Sequence, residues 1–276
     1  MPLPNFLIIG AAKAGTTSLY HYLRQHPDVF MSAVKEPRYY YQEGLADGRL
    51  EIFGRDAYER LFRDVTSERA IGEATTHYLN SPTAPERIAA DLPEVKLIVS
   101  LRNPAERAYS SYLGSLQGGT ERRGVEEAMR PGSYYVESSR YHASLSHYFA
   151  RFGRERIKVI LFDDLVADPR AVMRDIFDFL GVDSTIEVDV AKSHNRAAVP
   201  RLLLANRVLL RTGEFIHRLL PPPLRNTGIT GRMQRRFLRR PDPLPANIRR
   251  RLLEEFREDI GKTAALIERS LSHWLD

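Results

Sequence analysis

Between Gly10 and Ser18 the chain reads GAAKAGTTS, which places two glycines, one lysine and three consecutive hydroxyl side chains in a single turn. Residues of these types hold anions. Glycines let the backbone approach closely, a helix start offers N–H groups and the positive end of its dipole, and lysine adds a mobile charge. The phosphate loop of nucleotide-binding enzymes follows G-x-x-x-x-G-K-[ST], with lysine directly after the second glycine. Here Thr16 follows Gly15, and the lysine stands at position 13. Phosphoryl transfer also needs an acidic residue on a second strand to help hold Mg²⁺. The candidate second strand, KLIVSLRNP, leads instead into Arg102. An arginine there repels a metal ion and attracts a further phosphate. The residues therefore point to a site that neutralises anions with cations and hydroxyls, and away from ATP with magnesium. No metal is expected, because the histidines show no ligand spacing such as H-E-x-x-H.

The elements that must position this loop are legible around it. Phe6–Ile9, Ala70–Gly72, Val95–Leu101 and Ile157–Phe162 are apolar runs, each followed by a turn and a stretch of helical period. Apolar strands alternating with helices predict a parallel sheet covered on both faces, an α/β fold. The first helix is expected to end at Pro27, and the helix after Leu101 to start at Asn103-Pro104. DPRAVMRDIFDFLGV reads as an amphipathic helix capped by Asp168 and closed by Gly181. A last helix is expected from about Asn247 to Trp274. The simplest organisation is one domain, with a core over about 5–182 and a helical, arginine-rich extension over 183–276.

Composition narrows the class. The 276 residues contain no cysteine, which excludes disulfides, thiolate catalysis and cysteine–metal sites. No apolar run approaches the roughly 18–20 residues that span a bilayer. With no signal-peptide pattern at the start, the expectation is a soluble cytoplasmic protein. The net charge of +6 is uneven: thirteen arginines stand between Arg201 and Arg251 against Glu214 and Asp242. Such a stretch fits an anionic partner, including peripheral contact with a membrane, although 35 arginines against 6 lysines also fits a compositional bias. Its arginines lack the regular aromatic interleaving of a nucleic-acid surface, and no nucleic-acid partner is expected.

Four motifs in order, IIGAAKAGTTSL, KEPRYYY, GEATTHYL and LIVSLRNPAERAYSSYL, resemble the sulfotransferase superfamily. The likeness is strongest to the heparan sulfate sulfotransferase branch and its bacterial relatives, and extends from about Asn5 to Val182. The resemblance implies a P-loop-type sheet and 3′-phosphoadenosine 5′-phosphosulfate as donor, with adenosine 3′,5′-bisphosphate as product. It implies that Lys13, Ala14, Gly15, Thr16, Thr17 and Ser18 hold the 5′-phosphosulfate, Lys13 also stabilising the leaving oxygen, and that Arg102 and Ser110 clamp the 3′-phosphate. It gives Glu36 the role of general base toward the acceptor, with Glu73 and His77 as alternatives. Asn195 and Arg196, in KSHNRAAVPR, resemble a segment that closes over the donor. In one departure, Ala74 stands where heparan-type members often carry lysine, which weakens the case for a polyanionic acceptor. The acceptor is then a hydroxyl or amine of a small molecule, lipid or carbohydrate. The competing readings are a P-loop kinase-like phosphotransferase and a basic anion- or membrane-binding module led by 201–251.

Overall fold

A computed structural model describes residues 2–41, 54–191, 199–200, 238–239 and 241–276. The chain divides into two compact units: Met1–Asn103 with Arg140–Asn195 and Phe256–Asp276, and Pro104–Ser139 with Arg196–Glu255. The first unit carries a five-stranded, wholly parallel sheet. Its strands are β1 (Phe6–Gly10), β2 (Val29–Met31), β3 (Ala70–Ala74), β4 (Lys96–Leu101) and β5 (Ile157–Leu161), in the order β2-β3-β1-β4-β5. Every residue of β1 and β3 is buried, as strands covered on both faces require.

Helices α1 (Thr16–Leu23), α2 (Arg55–Glu59), α3 (Ala84–Asp91), α7 (His142–Phe152), α8 (Phe162–Ala167) and α9 (Pro169–Leu180) belong to this unit. Leu19, Tyr20 and Leu23 of α1 share one core cluster with Met173, Ile176 and Phe177 of α9. Asp168 caps α9 through a bond from the Ala171 amide at 2.9 Å, and Gly181 ends it in the left-handed region (φ 80), as the sequence predicts. α1 stops at Leu23, short of Pro27, because the amides of Gln25 and His26 bond three residues back, to Tyr22 and Leu23. Such i→i−3 bonds tighten the turn and close the α-helix.

The second unit contains α4 (Pro104–Gln117), α5 (Val125–Ala128), α6 (Tyr134–Glu137) and a two-residue antiparallel ladder of β6 (Val199–Pro200) with β7 (Leu238–Arg239). Buried Arg107 donates to Ser138 and Ser139, and buried Glu121 accepts from Tyr135 and Arg123. Helix α10 (Ala246–Ile267) ends seven residues before Trp274, because Glu268 takes a left-handed φ of 55 and the Arg269 amide bonds back to Ala264. A 3-10 turn, Ser272–Trp274, follows. Among the described residues, no helix is long and apolar enough to cross a membrane.

Candidate active site

In the first unit β1 is flanked by β3 on one side and β4 on the other. A parallel sheet whose order reverses at a central strand leaves a crevice beyond the carboxyl ends of its strands, where ligands bind. The residues singled out in this unit leave the sheet at that edge. Lys13 follows β1, Glu36 follows β2, Glu73 and His77 lie at and beyond the end of β3, and Arg102 follows β4.

The loop between β1 and α1 is held to β4. The Ala11 amide donates to the Ser100 carbonyl at 2.8 Å, and the Ser100 hydroxyl donates to the Ala14 carbonyl at 2.5 Å. Lys13 (φ 70) and Gly15 (φ 85) both take left-handed backbone angles, which wind the loop into the helix. Glycine suits position 15 because L side chains rarely adopt a φ of 85, and a Cβ there would also crowd Leu165 and Phe162 of α8. No side chain caps the start of α1 and no acidic residue stands in its first turn. The first N–H groups of a helix have no carbonyl a turn earlier to bond, so this end suits an anion. Lys13 is exposed, Thr17 is half-buried, and Thr16 and Ser18 are buried.

Arg102 comes to the same loop. Its Nη1 donates to the Lys13 carbonyl at 3.2 Å, and its guanidinium lies 4.8 Å from the Phe162 ring centroid. Its own carbonyl accepts from the Tyr141 hydroxyl at 2.8 Å. Cation and loop are thus brought together. Ser110 lies half-buried on α4, in the second unit. Asn195 and Arg196, with Lys192 and His194, fall outside the described residues, as does almost all of 201–240. Within the basic stretch, Arg239, Arg249 and Arg251 pair with Asp242, Glu106 and Glu126 of the same unit.

Glu36 is gripped by the segment that follows β3. Its amide donates to the Ala74 carbonyl at 2.8 Å; the Thr76 amide and hydroxyl donate to its carboxylate at 2.9 and 3.0 Å. Lys35 Nζ lies 2.7 Å from Oε1, and His77 Nδ1 lies 3.5 Å from Oε2. Burial raises the pKa of this carboxyl, but the His77 hydrogen bond and the Lys35 charge outweigh it and hold the group near 2. Glu36 is therefore an anion at neutral pH, with one-fifth of its side chain exposed. The Tyr41 ring packs edge-on to His77, with centroids 5.3 Å apart.

Glu73 is a different carboxyl. It is completely buried and accepts from Thr75 Oγ1 at 2.9 Å and the Tyr58 hydroxyl at 3.4 Å. Burial pushes its pKa up to about 8; bonds from Tyr78 and Thr75 pull it back only in part, and the Glu36 charge adds to the rise. A carboxyl with no solvent contact cannot meet an acceptor hydroxyl without the site opening. It anchors Thr75, whose neighbour Thr76 holds Glu36. Sequence reasoning missed this threonine pair as the support of Glu36, and it missed Trp274, whose carbonyl accepts from Asn103 Nδ2 at 2.8 Å.

Comparison with known proteins bears on the same residues. A family model described as "Sulfotransferase family" matches residues 4–186. A sulfotransferase crystal structure from Alicyclobacillus acidocaldarius is 30% identical, with 100% of each chain covered and a TM-score of 0.77. Membrane-associated sulfotransferase kil1 of Dictyostelium discoideum is 39% identical over 121 residues, 42% of this chain and 24% of that protein. Heparan sulfate glucosamine 3-O-sulfotransferase 6 of Homo sapiens is 31% identical over 196 residues, 66% of this chain and 54% of that protein. This chain thus spans about a quarter and about half of those two relatives. The family match spans all four motifs, and the phosphotransferase reading is left without support.

Proposed function

The chain belongs to the sulfotransferase family, and we propose that it transfers a sulfuryl group from 3′-phosphoadenosine 5′-phosphosulfate to a hydroxyl or amine of a small-molecule, lipid or carbohydrate acceptor. The observation that carries this reading is the Lys13 loop tied to Arg102 at the carboxyl edge of β1 and β4, with no acidic residue in the first turn of α1. The donor carries its activated S–O bond within the 5′-phosphosulfate and has a second anionic end, the 3′-phosphate. The amides and hydroxyls of Ala14 to Ser18 receive the phosphosulfate, and Arg102 receives the 3′-phosphate, to which arginine makes bidentate contacts.

Lys13 neutralises the charge that builds on the bridging oxygen as the S–O bond breaks. Glu36 takes the acceptor's proton as the new bond to sulfur forms; it is ionised and partly exposed, whereas Glu73 is neutral at pH 7 and enclosed. No metal takes part in these steps. Ala74 leaves position 74 without a cation, and Tyr41 lies against His77 beside Glu36. The missing cation favours an acceptor with less negative charge than heparan sulfate, the polymer named for the 3-O-sulfotransferase relative.

The test is transfer of ³⁵S from labelled donor to a panel of phenols, aliphatic alcohols, amines and desulfated sugars, with and without EDTA. Transfer that persists in EDTA is the expected result. Labelled ATP as the only productive donor, or transfer abolished by EDTA, contradicts the proposal.

A further inference from the structure

The segment after α10 touches the donor side of the site through its neighbours. Arg269 donates from Nη1 and Nη2 to the two carboxylate oxygens of Asp164 at 2.5 and 2.7 Å. Trp274, 1% exposed, donates from Nε1 to Asp163 Oδ2 at 2.7 Å, and its carbonyl accepts from Asn103 Nδ2 at 2.8 Å. Its ring packs on Tyr141 with centroids 6.3 Å apart, and Tyr141 donates to the Arg102 carbonyl. Each anchor stands next in sequence to a residue in contact with the donor loop or its arginine. Asn103 follows Arg102, Asp163 follows Phe162, which lies under the Arg102 guanidinium, and Asp164 precedes Leu165, which packs on Gly15.

We infer that residues 269–274 form a positioning strap for the donor's 3′-phosphate subsite, with Trp274 as its principal residue. The inference rests on the donor reading given above. Trp274 holds the two elements that carry and support Arg102: the end of β4 through Asn103, and the start of α8 through Asp163. Fixing both sets where the guanidinium lies against Phe162 before any ligand arrives, and preorganisation of this kind lowers the ordering cost of binding. The loop that receives the 5′ end also has its own bonds to Ser100, so it depends on the strap, through Phe162 and Leu165 beside Gly15, less than Arg102 does. Loosening the strap should therefore act on the 3′-phosphate more than on the 5′-phosphate.

The experiment measures the affinities of adenosine 3′,5′-bisphosphate and adenosine 5′-phosphate by calorimetry. The proteins are the wild-type chain, Trp274→Phe, and a chain lacking residues 272–276, with thermal melts in parallel. Trp274→Phe keeps a ring and the carbonyl but loses the bond to Asp163. The preference for the bisphosphate should fall by about 2–10-fold for each hydrogen bond lost, so more in the shortened chain than in Trp274→Phe, while 5′-phosphate affinity stays near wild type. A purely structural role would lower the melting temperature and both affinities together. Folded variants that keep the wild-type preference overturn the strap, and if the shortened chain does not fold, Trp274→Phe alone decides. A wild-type protein with no preference for the bisphosphate overturns the donor reading itself, and the strap with it.

Discussion

Glu73→Gln separates a buried neutral acid from a catalytic base, and its effect follows from where that carboxyl sits. In the folded protein Glu73 is completely buried and holds its proton up to about pH 8; once unfolded it releases it near its ordinary value of 4.5. Between these values the folded protein binds one proton more than the unfolded chain. Its stability therefore falls as pH rises through that window, and is level below 4.5, where both states are protonated. The folding constant changes by about tenfold per pH unit inside the window and by less at its ends, which is about a few hundredfold, or roughly 3–4 kcal/mol, between pH 5 and 8. Gln carries no such proton and resembles the neutral acid in shape. Glu36 does not interfere, because its lowered pKa, about 2, confines its contribution to loss of stability below pH 4.5. Trp274, the one tryptophan, is buried in the same unit as Glu73, so urea melts followed by its fluorescence report on the right part of the chain. The wild type and Glu73→Gln should have similar midpoints at pH 5, and the variant should become progressively more stable by comparison toward pH 8. Sulfuryl transfer should survive in the variant. Parallel stability curves would refute the argument for a protonated Glu73, and a dead, folded variant would move the base from Glu36 to Glu73.

Two further predictions follow from the assigned roles. Lys13→Ala should lower turnover by about 10²–10³-fold or more, since its charge acts mainly on the leaving oxygen; single-turnover measurements with saturating donor check this. Glu36→Gln should cost roughly 10²–10⁴-fold in turnover with bisphosphate affinity unchanged by calorimetry. Near-normal turnover in Glu36→Gln with loss in His77→Ala would give the proton to the imidazole.

Much of the first unit was legible because its signals are local. The strands β1, β4 and β5 are apolar almost throughout, and the Gly–Lys–Gly–hydroxyl turn sits directly behind β1, so strand, loop and helix could be read in one pass. Lys13 and Arg102 were both singled out as anion ligands, but the bond from Arg102 to the Lys13 carbonyl joins residues 89 apart and was not read. Strand β2 was not read: at three residues, Val29–Met31, it is too short to show a period. The two glutamates looked alike as residue types. Their opposite pKa shifts come from burial and from partners that only the folded chain supplies, Lys35 and His77 for one, Tyr58, Thr75 and Tyr78 for the other. The acid inside the small apolar strand AIGEA was the available sign that Glu73 would be enclosed. Trp274 reaches Asn103 across 171 residues, a separation that no local pattern encodes. The end of α10 was misplaced for a related reason, because the helical period of its sequence runs on past the left-handed turn at Glu268.

The central claim, a donor site for a nucleotide with phosphates at both ends, is tested most directly by calorimetry on the wild-type chain without metal. Adenosine 3′,5′-bisphosphate should bind more than tenfold tighter than adenosine 5′-phosphate, ADP or ATP, since hydrogen bonds to a charged group contribute about 1.5–3 kcal/mol each. Equal affinity for the bisphosphate and the 5′-phosphate would remove the role given to Arg102 and contradict the account.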